Sequence, residues 1–456
     1  MSNLEIFITN PFSISSTSFY PRNYNPDFLF VRDELQNNPT LTEYIEGDVK
    51  GGSTPPAYLF YKDKGVPFIK TSAVSRHFIN TNDLHLINSN FHNNSLKRSI
   101  TKPYDIIYTM TGKFMGKAAL CPPTINEMNM SQNSVVLHTD TPEKAAFLTI
   151  FLNSRINRIQ VRGSYSITKQ KFLNQGKISA LRVMPYHKRY DFIMQQYISA
   201  FNTYYQSVAK IQSIIGLFNK NYKLPYSDTP QFGFIVKPAR FSKNMLTPNF
   251  YRDDVAETID IIKEIGGNAT FDKANLSKGD EIGSAFYQEE GVPFIKTSDI
   301  MNYDIDHEPD CYCSESFLSQ LEQNIKIGDI LFAKDGKPGE VAIVLEDKKA
   351  VISSGLVKYH PRTEKEGYWS FLLLSSQYGN AYFKKWFVIA STMLHLRADF
   401  FDDFKIPKIT PEIEEIYLAP LKDAFLAKST AYKQIVKIKN LVEESYTNDD
   451  VDLTLV

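Results

Sequence analysis

The residues with most to offer chemically are cations set beside glycines and hydroxyls, and they come in two sets. Lys113 and Lys117 flank the turn Thr111-Gly112-Lys113-Phe114-Met115-Gly116, and Lys334 and Lys337 flank Asp335-Gly336-Lys337-Pro338-Gly339. Backbone laid bare by glycine, with a lysine beside it, can approach a phosphate closely; an ordinary hairpin tip would carry the same letters. Arg158, Arg162, Ser164, Tyr165, Thr168, Lys169 and Lys171 crowd a later segment, and Lys384, Lys385, Thr392, His395 and Arg397 stand in its counterpart. Arg and Lys suit the acceptors of guanine, and Ser and Thr suit several bases; a solvated helix end and loop is the plain alternative. Lys70-Thr71 and Lys296-Thr297 close two apolar runs. They fit a phosphate clamp or a solvated strand end.

No set of residues fits a reacting centre. Gly112-Lys113-Phe114-Met115-Gly116-Lys117 superficially looks like a nucleotide loop, but it is one residue short and ends in Ala118 where a magnesium-holding Ser or Thr is needed. The 8 histidines show no HExxH, so no metal site is expected. Asn10-Pro11-Phe12 lacks the second proline of an amino-methyltransferase signature and is read as a turn. Glu346-Asp347-Lys348, the only nuclease-like triplet, falls where a hairpin loop is expected. Neither a catalytic residue nor a cofactor is expected.

Composition narrows the class. The 456 residues suffice for two or three domains, and 43% hydrophobic with 22% charged residues is globular. Basic and acidic side chains balance at 51 each, which argues against a protein gripping nucleic acid by bulk charge alone. A local basic groove, or partners that add positive charge, remain compatible. No run approaches 18 apolar residues and the start has no signal-peptide pattern, so no membrane span and a cytoplasmic location are expected. The 3 cysteines form no disulfide framework or metal knuckle, which fits a reducing compartment.

The elements that must position these residues are announced by a repeat. Gly65-Val66-Pro67-Phe68-Ile69-Lys70-Thr71-Ser72 returns unchanged as Gly291-Val292-Pro293-Phe294-Ile295-Lys296-Thr297-Ser298, a shift of 226. Around it the halves keep step. Asn25-Pro26-Asp27-Phe28 matches Thr247-Pro248-Asn249-Phe250, and Phe60-Tyr61 matches Phe286-Tyr287. Tyr104-Asp105-Ile106-Ile107-Tyr108 matches Gly328-Asp329-Ile330-Leu331-Phe332 at a shift of 224. The apolar runs read as strands, two of them entered through prolines, with glycine turns between and Ala118-Ala119-Leu120 and Val341-Ala342-Ile343 returning. Phe147-Leu148 and Phe371-Leu372 open helical stretches expected to run to Val161 and Val388. Shared residues such as Phe68, Ile69, Phe294 and Ile295 read as core. The first 18 residues read as an arm or edge strand.

A seam follows each module. Tyr190, Met194, Tyr197, Phe201, Tyr204, Val208, Ile211, Ile215 and Phe218 alternate four and three apart, the heptad spacing of a coiled coil. The second half offers Leu418, Leu421, Phe425, Tyr432, Ile435 and Val442, with Ala424-Phe425 matching Ala200-Phe201. Lys428 interrupts this second seam. Pro420 is expected to break or kink a helix begun earlier, so the firm part of the second helix is placed after Leu421. The fold expected is α+β: two similar α/β-mixed modules, each followed by a long helix, the helices forming an antiparallel coiled coil.

In this order, duplicated, the motifs resemble the specificity subunit of type I restriction-modification enzymes. The resemblance rests on Gly-Val-Pro-Phe-Ile-Lys-Thr-Ser in both halves, the Gly-Asp-Ile-Leu strand with its Asp-Gly-Lys-Pro-Gly turn, the Phe-Leu helix and the two seams. It implies two target recognition domains, at 1–185 and 223–409, each reading one half of a split DNA sequence from the major groove. It implies spacer helices at 186–222 and 410–446, a tail at 447–456, and no catalysis by the chain itself. The partners implied are double-stranded DNA, two methyltransferase subunits and a restriction-translocase subunit. Two readings stand beside it: a type II subunit for a bipartite site, and a duplicated adaptor that binds only protein.

Overall fold

The computed structural model describes residues 24–454 apart from 62–63, 113–114, 168–170, 228–235, 237–240, 242–244, 246, 268, 322, 324, 338 and 391–392. The expected N-terminal arm, with Asn10-Pro11-Phe12, lies outside the described residues. The chain forms two compact units, Met1–Gln206 with Thr430–Val456, and Ser207–Ser429. Each unit therefore holds one module together with a segment of each long helix.

The strands are the apolar runs. In the first unit Ile106–Thr109, buried at all four positions, pairs antiparallel with Ser134–Leu137 on one side and Ala118–Leu120 on the other. In the second, Ile330–Ala333 is flanked in the same way by Leu356–Tyr359 and Val341–Ile343. Continuous burial explains the unbroken apolar lettering, since neither face meets water. The repeated phrase forms the strands Val66–Ile69 and Val292–Ile295. Each pairs parallel with a later strand, Phe68 opposite Asn129 in one unit and Phe294 opposite Val351 in the other. Phe68, Ile69, Phe294 and Ile295 are buried in their unit's core.

A threonine begins the helix behind each sheet. Thr141 accepts from Lys144 N and Thr363 from Glu366 N, satisfying backbone donors that the first turn leaves without partners. The expected single helical stretches are each two helices. Pro142–Asn153 gives way at Ser154 to Arg155–Ser164, and Glu364–Ser375 gives way at Ser376 to Gln377–Trp386. Both serines have extended backbone, which ends one helix and starts the next. Val388 belongs to a strand, Phe387–Ala390, so the second stretch stops short of it.

The first long helix runs Asp191–Asn221, and all nine residues of the seam, Tyr190 in the turn just before the helix included, are buried. The second corrects the sequence reading. Thr410 caps Pro411–Ile413, which continues through a π turn at Glu414–Leu418 into Ala419–Glu444. Pro420 does not delay the helix. Its ring would crowd the carbonyl four residues back and it offers no N–H; the widened turn immediately before it takes up both defects. Within the first unit the start of the first helix meets the end of the second, with Tyr190 Oη 3.0 Å from Ser445 Oγ. Within the second unit the pairing is reversed, with Asn221 Nδ2 donating to Tyr417 Oη at 2.8 Å. Both are antiparallel. Ile438, also buried, fills the second seam between Ile435 and Val442.

Lys428 does not interrupt the packing; it completes it. After the repeated phrase each module makes a turn in left-handed backbone, with φ of 68° at His77 and 66° at Tyr303, 226 residues apart. In the first unit the turn presents Phe78, whose ring lies 4.4 Å from that of Tyr204 on the first helix and 5.9 Å from that of Tyr432 on the second. Tyr205 Oη accepts from Ile79 N and donates to Ile79 O, and His77 Nδ1 lies 3.1 Å from Tyr197 Oη. In the second unit the turn presents Asp304, whose Oδ2 lies 3.1 Å from Lys428 Nζ. Asp304 matches Phe78 at the module's shift of 226, and Lys428 matches Tyr204 at the helices' shift of 224. One joint between module and helix is thus made of rings in one half and of charges in the other.

Candidate nucleic-acid interface

Each module closes its glycine turn onto a hairpin that follows the basic helix. In the first, Gly112 N donates to Lys171 O at 3.0 Å and Leu173 N to Met110 O at 2.8 Å. The hairpin pairs Ser166–Ile167 with Lys171–Phe172. In the second, Gly336 N donates to Leu394 O at 3.1 Å and Leu396 N to Lys334 O at 2.8 Å, and the hairpin pairs Phe387–Ala390 with Met393–Leu396. Two segments far apart in sequence, the glycine turn and the hairpin that follows the basic helix, therefore meet on one rim in each unit.

The structure sorts the residues named from the sequence. Lys113, Thr168, Lys169 and Thr392 lie outside the described residues. Arg162 is exposed; Arg158, Ser164 and Tyr165 are half-buried. Lys171 is exposed, with its Nζ 5.1 Å from the centre of the Tyr165 ring. Lys177, which spacing did not single out, ties the helix end to the hairpin by donating to Ser164 O at 2.5 Å and Ser166 Oγ at 2.9 Å. Lys117 is buried and so stands back from the rim.

In the second unit the cations are held by carboxylates. Lys334 Nζ lies 2.9 Å and His395 Nδ1 2.7 Å from the two oxygens of Asp335. Lys385 Nζ reaches Asp403 at 2.5 Å and Arg397 Nε reaches Asp399 at 2.9 Å. Lys337, exposed, stands 3.8 Å from Glu340, and Lys384 is half-buried. Asp335, Asp399 and Asp403 are residues that reasoning from cations alone passed over. Only Asp335, set beside Gly336 where the other half has Thr111, carried a signal in the letters.

The strand-end lysines pack against rings. Lys70 Nζ sits 5.2 Å above the Phe60 ring. Lys296 Nζ sits 4.0 Å above Tyr287 and donates to Cys311 Sγ at 2.8 Å. Both lysines pack their charge on an aromatic face supplied by the matched Phe-Tyr pair, an arrangement favourable in partly dry surroundings. Thr71 and Thr297 open the short turns that follow. Glu346-Asp347-Lys348 lies at a loop, where Lys348 Nζ donates to His307 O at 2.6 Å. No group of three or more His, Cys, Asp or Glu residues able to hold a metal is found among the described residues, nor any helix long and apolar enough to cross a membrane.

No family model matches the chain, and no curated protein matches it. Solved structures do. The S subunit of a type I restriction-modification system from M. genitalium matches at 12% identity over 90% of this chain and 95% of that one, with a TM-score of 0.34. The chain is similar to type I S subunits. A structure from work on assembly and conformational transition of the type I R-M system gives 15% identity, 89% and 95% coverage and a TM-score of 0.27. The HsdS subunit from Thermoanaerobacter tengcongensis gives 14%, 89% and 94%, and 0.27. At these values the likeness carries no weight of its own, and the functional reading stands on the duplicated modules, their rims and the paired helices.

Proposed function

We propose that the chain is the DNA sequence-specificity subunit of a type I restriction-modification complex, working by recognition and scaffolding without catalysis of its own. The observation that carries this reading is the duplication of one joint: in each unit a glycine turn closes on a hairpin at the end of a basic helix, while a long antiparallel helix pair holds the module. Two like modules, each joined to the same pair of long helices, suit a target with two separated half-sites, because a duplex offers the same groove again only after a fixed rise. The recognition domains are the modules at 1–185 and 223–409, and the rims are their DNA-facing surfaces. The helices set the spacer and dock two methyltransferase subunits, and a restriction-translocase subunit completes the cytoplasmic complex. The framework, Lys70 and Lys296 included, is shared because it positions the modules; the rims differ because they read different letters.

The test is selection of bound duplexes from a random library by the chain assembled with its methyltransferase partner. Two conserved blocks separated by a fixed run of free positions are expected. Recovery of a single contiguous block would overturn the two-half-site reading, and absence of any enrichment would leave the protein-only adaptor in its place.

A further inference from the structure

The two rims carry very different charge. Residues 155–187 hold seven basic side chains and no acidic one, whereas the matching stretch 377–410 holds five basic and three acidic. Both stretches begin at a serine-started helix and end where a long helix is about to begin, so like is set against like.

The difference survives folding. Arg155 and Lys171 are exposed and Arg158 half-buried, and none of the three has a carboxylate partner among the described residues. On the other rim Lys334 and His395 are held by Asp335, Lys385 by Asp403 and Arg397 by Asp399. A third acid, Asp402, takes Lys273 from the same module at 2.6 Å. The glycine turns repeat the contrast, with Thr111 in one half standing where Asp335 stands in the other. A lysine already at about 3 Å from a carboxylate is close to a neutral dipole when seen from a phosphate further off, since the two Coulomb terms nearly cancel. Such a lysine displaces little of the counterion cloud when it meets DNA.

We infer that the two recognition modules share the duplex unequally: the first grips the phosphate backbone with free cations, and the second meets DNA with its charge already neutralised from within. This rests on the DNA-recognition reading. It assigns salt-dependent affinity to Arg155, Arg158 and Lys171 and leaves the second module to discriminate by hydrogen bonding and shape.

The experiment uses the full chain and a fluorescein-labelled random-sequence duplex of roughly forty base pairs, titrated from about 50 to 200 mM salt. Arg155→Gln/Arg158→Gln/Lys171→Gln is expected to lower the slope of log K against log salt by about 2 to 3, near 0.9 for each phosphate no longer neutralised. Lys384→Gln/Lys385→Gln/Arg397→Gln is expected to change it by less than about 1. Asp335→Asn/Asp399→Asn, which keeps every cation and removes two of the acids that hold them, is expected to steepen the slope by about 1 to 2. Circular dichroism melting of each variant separates weaker binding by a folded chain from loss of the fold. Equal losses of slope in the two triple variants, or no steepening from the Asn pair, would overturn the unequal sharing while leaving DNA recognition intact. A wild-type chain that shows no binding to the duplex across this salt range would instead remove the DNA reading, and this inference with it.

Discussion

Asp304 and Lys428 show how much a single buried pair decides. Their side chains are 6% and 1% exposed, with Lys348 and His307 close by. Burial disfavours charge on both, pushing the carboxyl up and the ammonium down. For Asp304 the nearby Lys428 and His307 and the Ile305 N–H outweigh burial and hold the carboxyl well below the usual carboxylate range; for Lys428 burial wins. Asp304 therefore governs behaviour in acid, since three donors converge on it. Removing either partner strands a buried charge. Asp304→Leu alone, or Lys428→Met alone, is expected to cost about 3–5 kcal/mol in urea unfolding. The double variant, which replaces the pair with apolar side chains, is expected to return to within about 1–2 kcal/mol of the wild type. A double variant as unstable as the sum of the singles would show that the two residues do not act as a pair. The acid response follows with its sign. A carboxyl depressed in the folded state contributes stability that is present above its unfolded value of about 3.9 and is lost as pH falls through the lower folded value. Below about pH 4 the wild type should lose stability more steeply than the double variant, as read from the urea midpoint at stepped pH.

At the scale of elements, the repeated phrase owes its letters to position. Gly65 and Gly291 have φ of +144° and +128°, and a Cβ on either would lie 2.4 Å from Ile87 O or 2.6 Å from Cys313 O, on the strand alongside. A side chain is barred there twice, by backbone conformation and by a neighbouring carbonyl that cannot swing aside. Gly65→Ala and Gly291→Ala are each expected to destabilise their unit by more than about 1 kcal/mol. Thermal melting followed by circular dichroism checks this, and a neutral result at both sites would remove the packing account of the phrase. Much at this scale was legible: the strands, the glycine turns and the first helix all followed from apolar spacing and matched letters. What escaped has a common cause. Lys428 looked like a fault in a seam because its acid stands 124 residues away, on a turn that no helical period reports. Pro420 looked like a stop because one-dimensional spacing has no way to show a π turn. The acids of the second rim were hidden likewise, Asp335 and His395 being 60 residues apart and joined only when the glycine turn folds onto the hairpin.

At the scale of the molecule, duplication sets the problem that the paired helices solve. Two modules of one descent could each fit the other's place, and the joint made of rings at Phe78 and Tyr204 but of charges at Asp304 and Lys428 gives each module its own seat. A ring in the place of Asp304 would leave the buried Lys428 without its carboxylate, and a carboxylate in the place of Phe78 would lie among rings without a cation. On the proposed two-half-site function, the length of the long helices is expected to set the distance between the half-sites. An insertion of seven residues keeps the seam in phase, because the heptad returns each apolar position to the same face. Seven residues in each long helix, placed where the two units divide after Gln206 and after Ser429, add about 10.5 Å at 1.5 Å per residue, which is about three base pairs of duplex. The selected motif is expected to keep the letters of both half-sites and to gain about three free positions between them. An insertion of five residues instead turns the seam out of phase and is expected to abolish selection. The readout is the same library selection that tests the parent reading, and an unchanged spacer in the seven-residue variant would show that something other than these helices measures the distance.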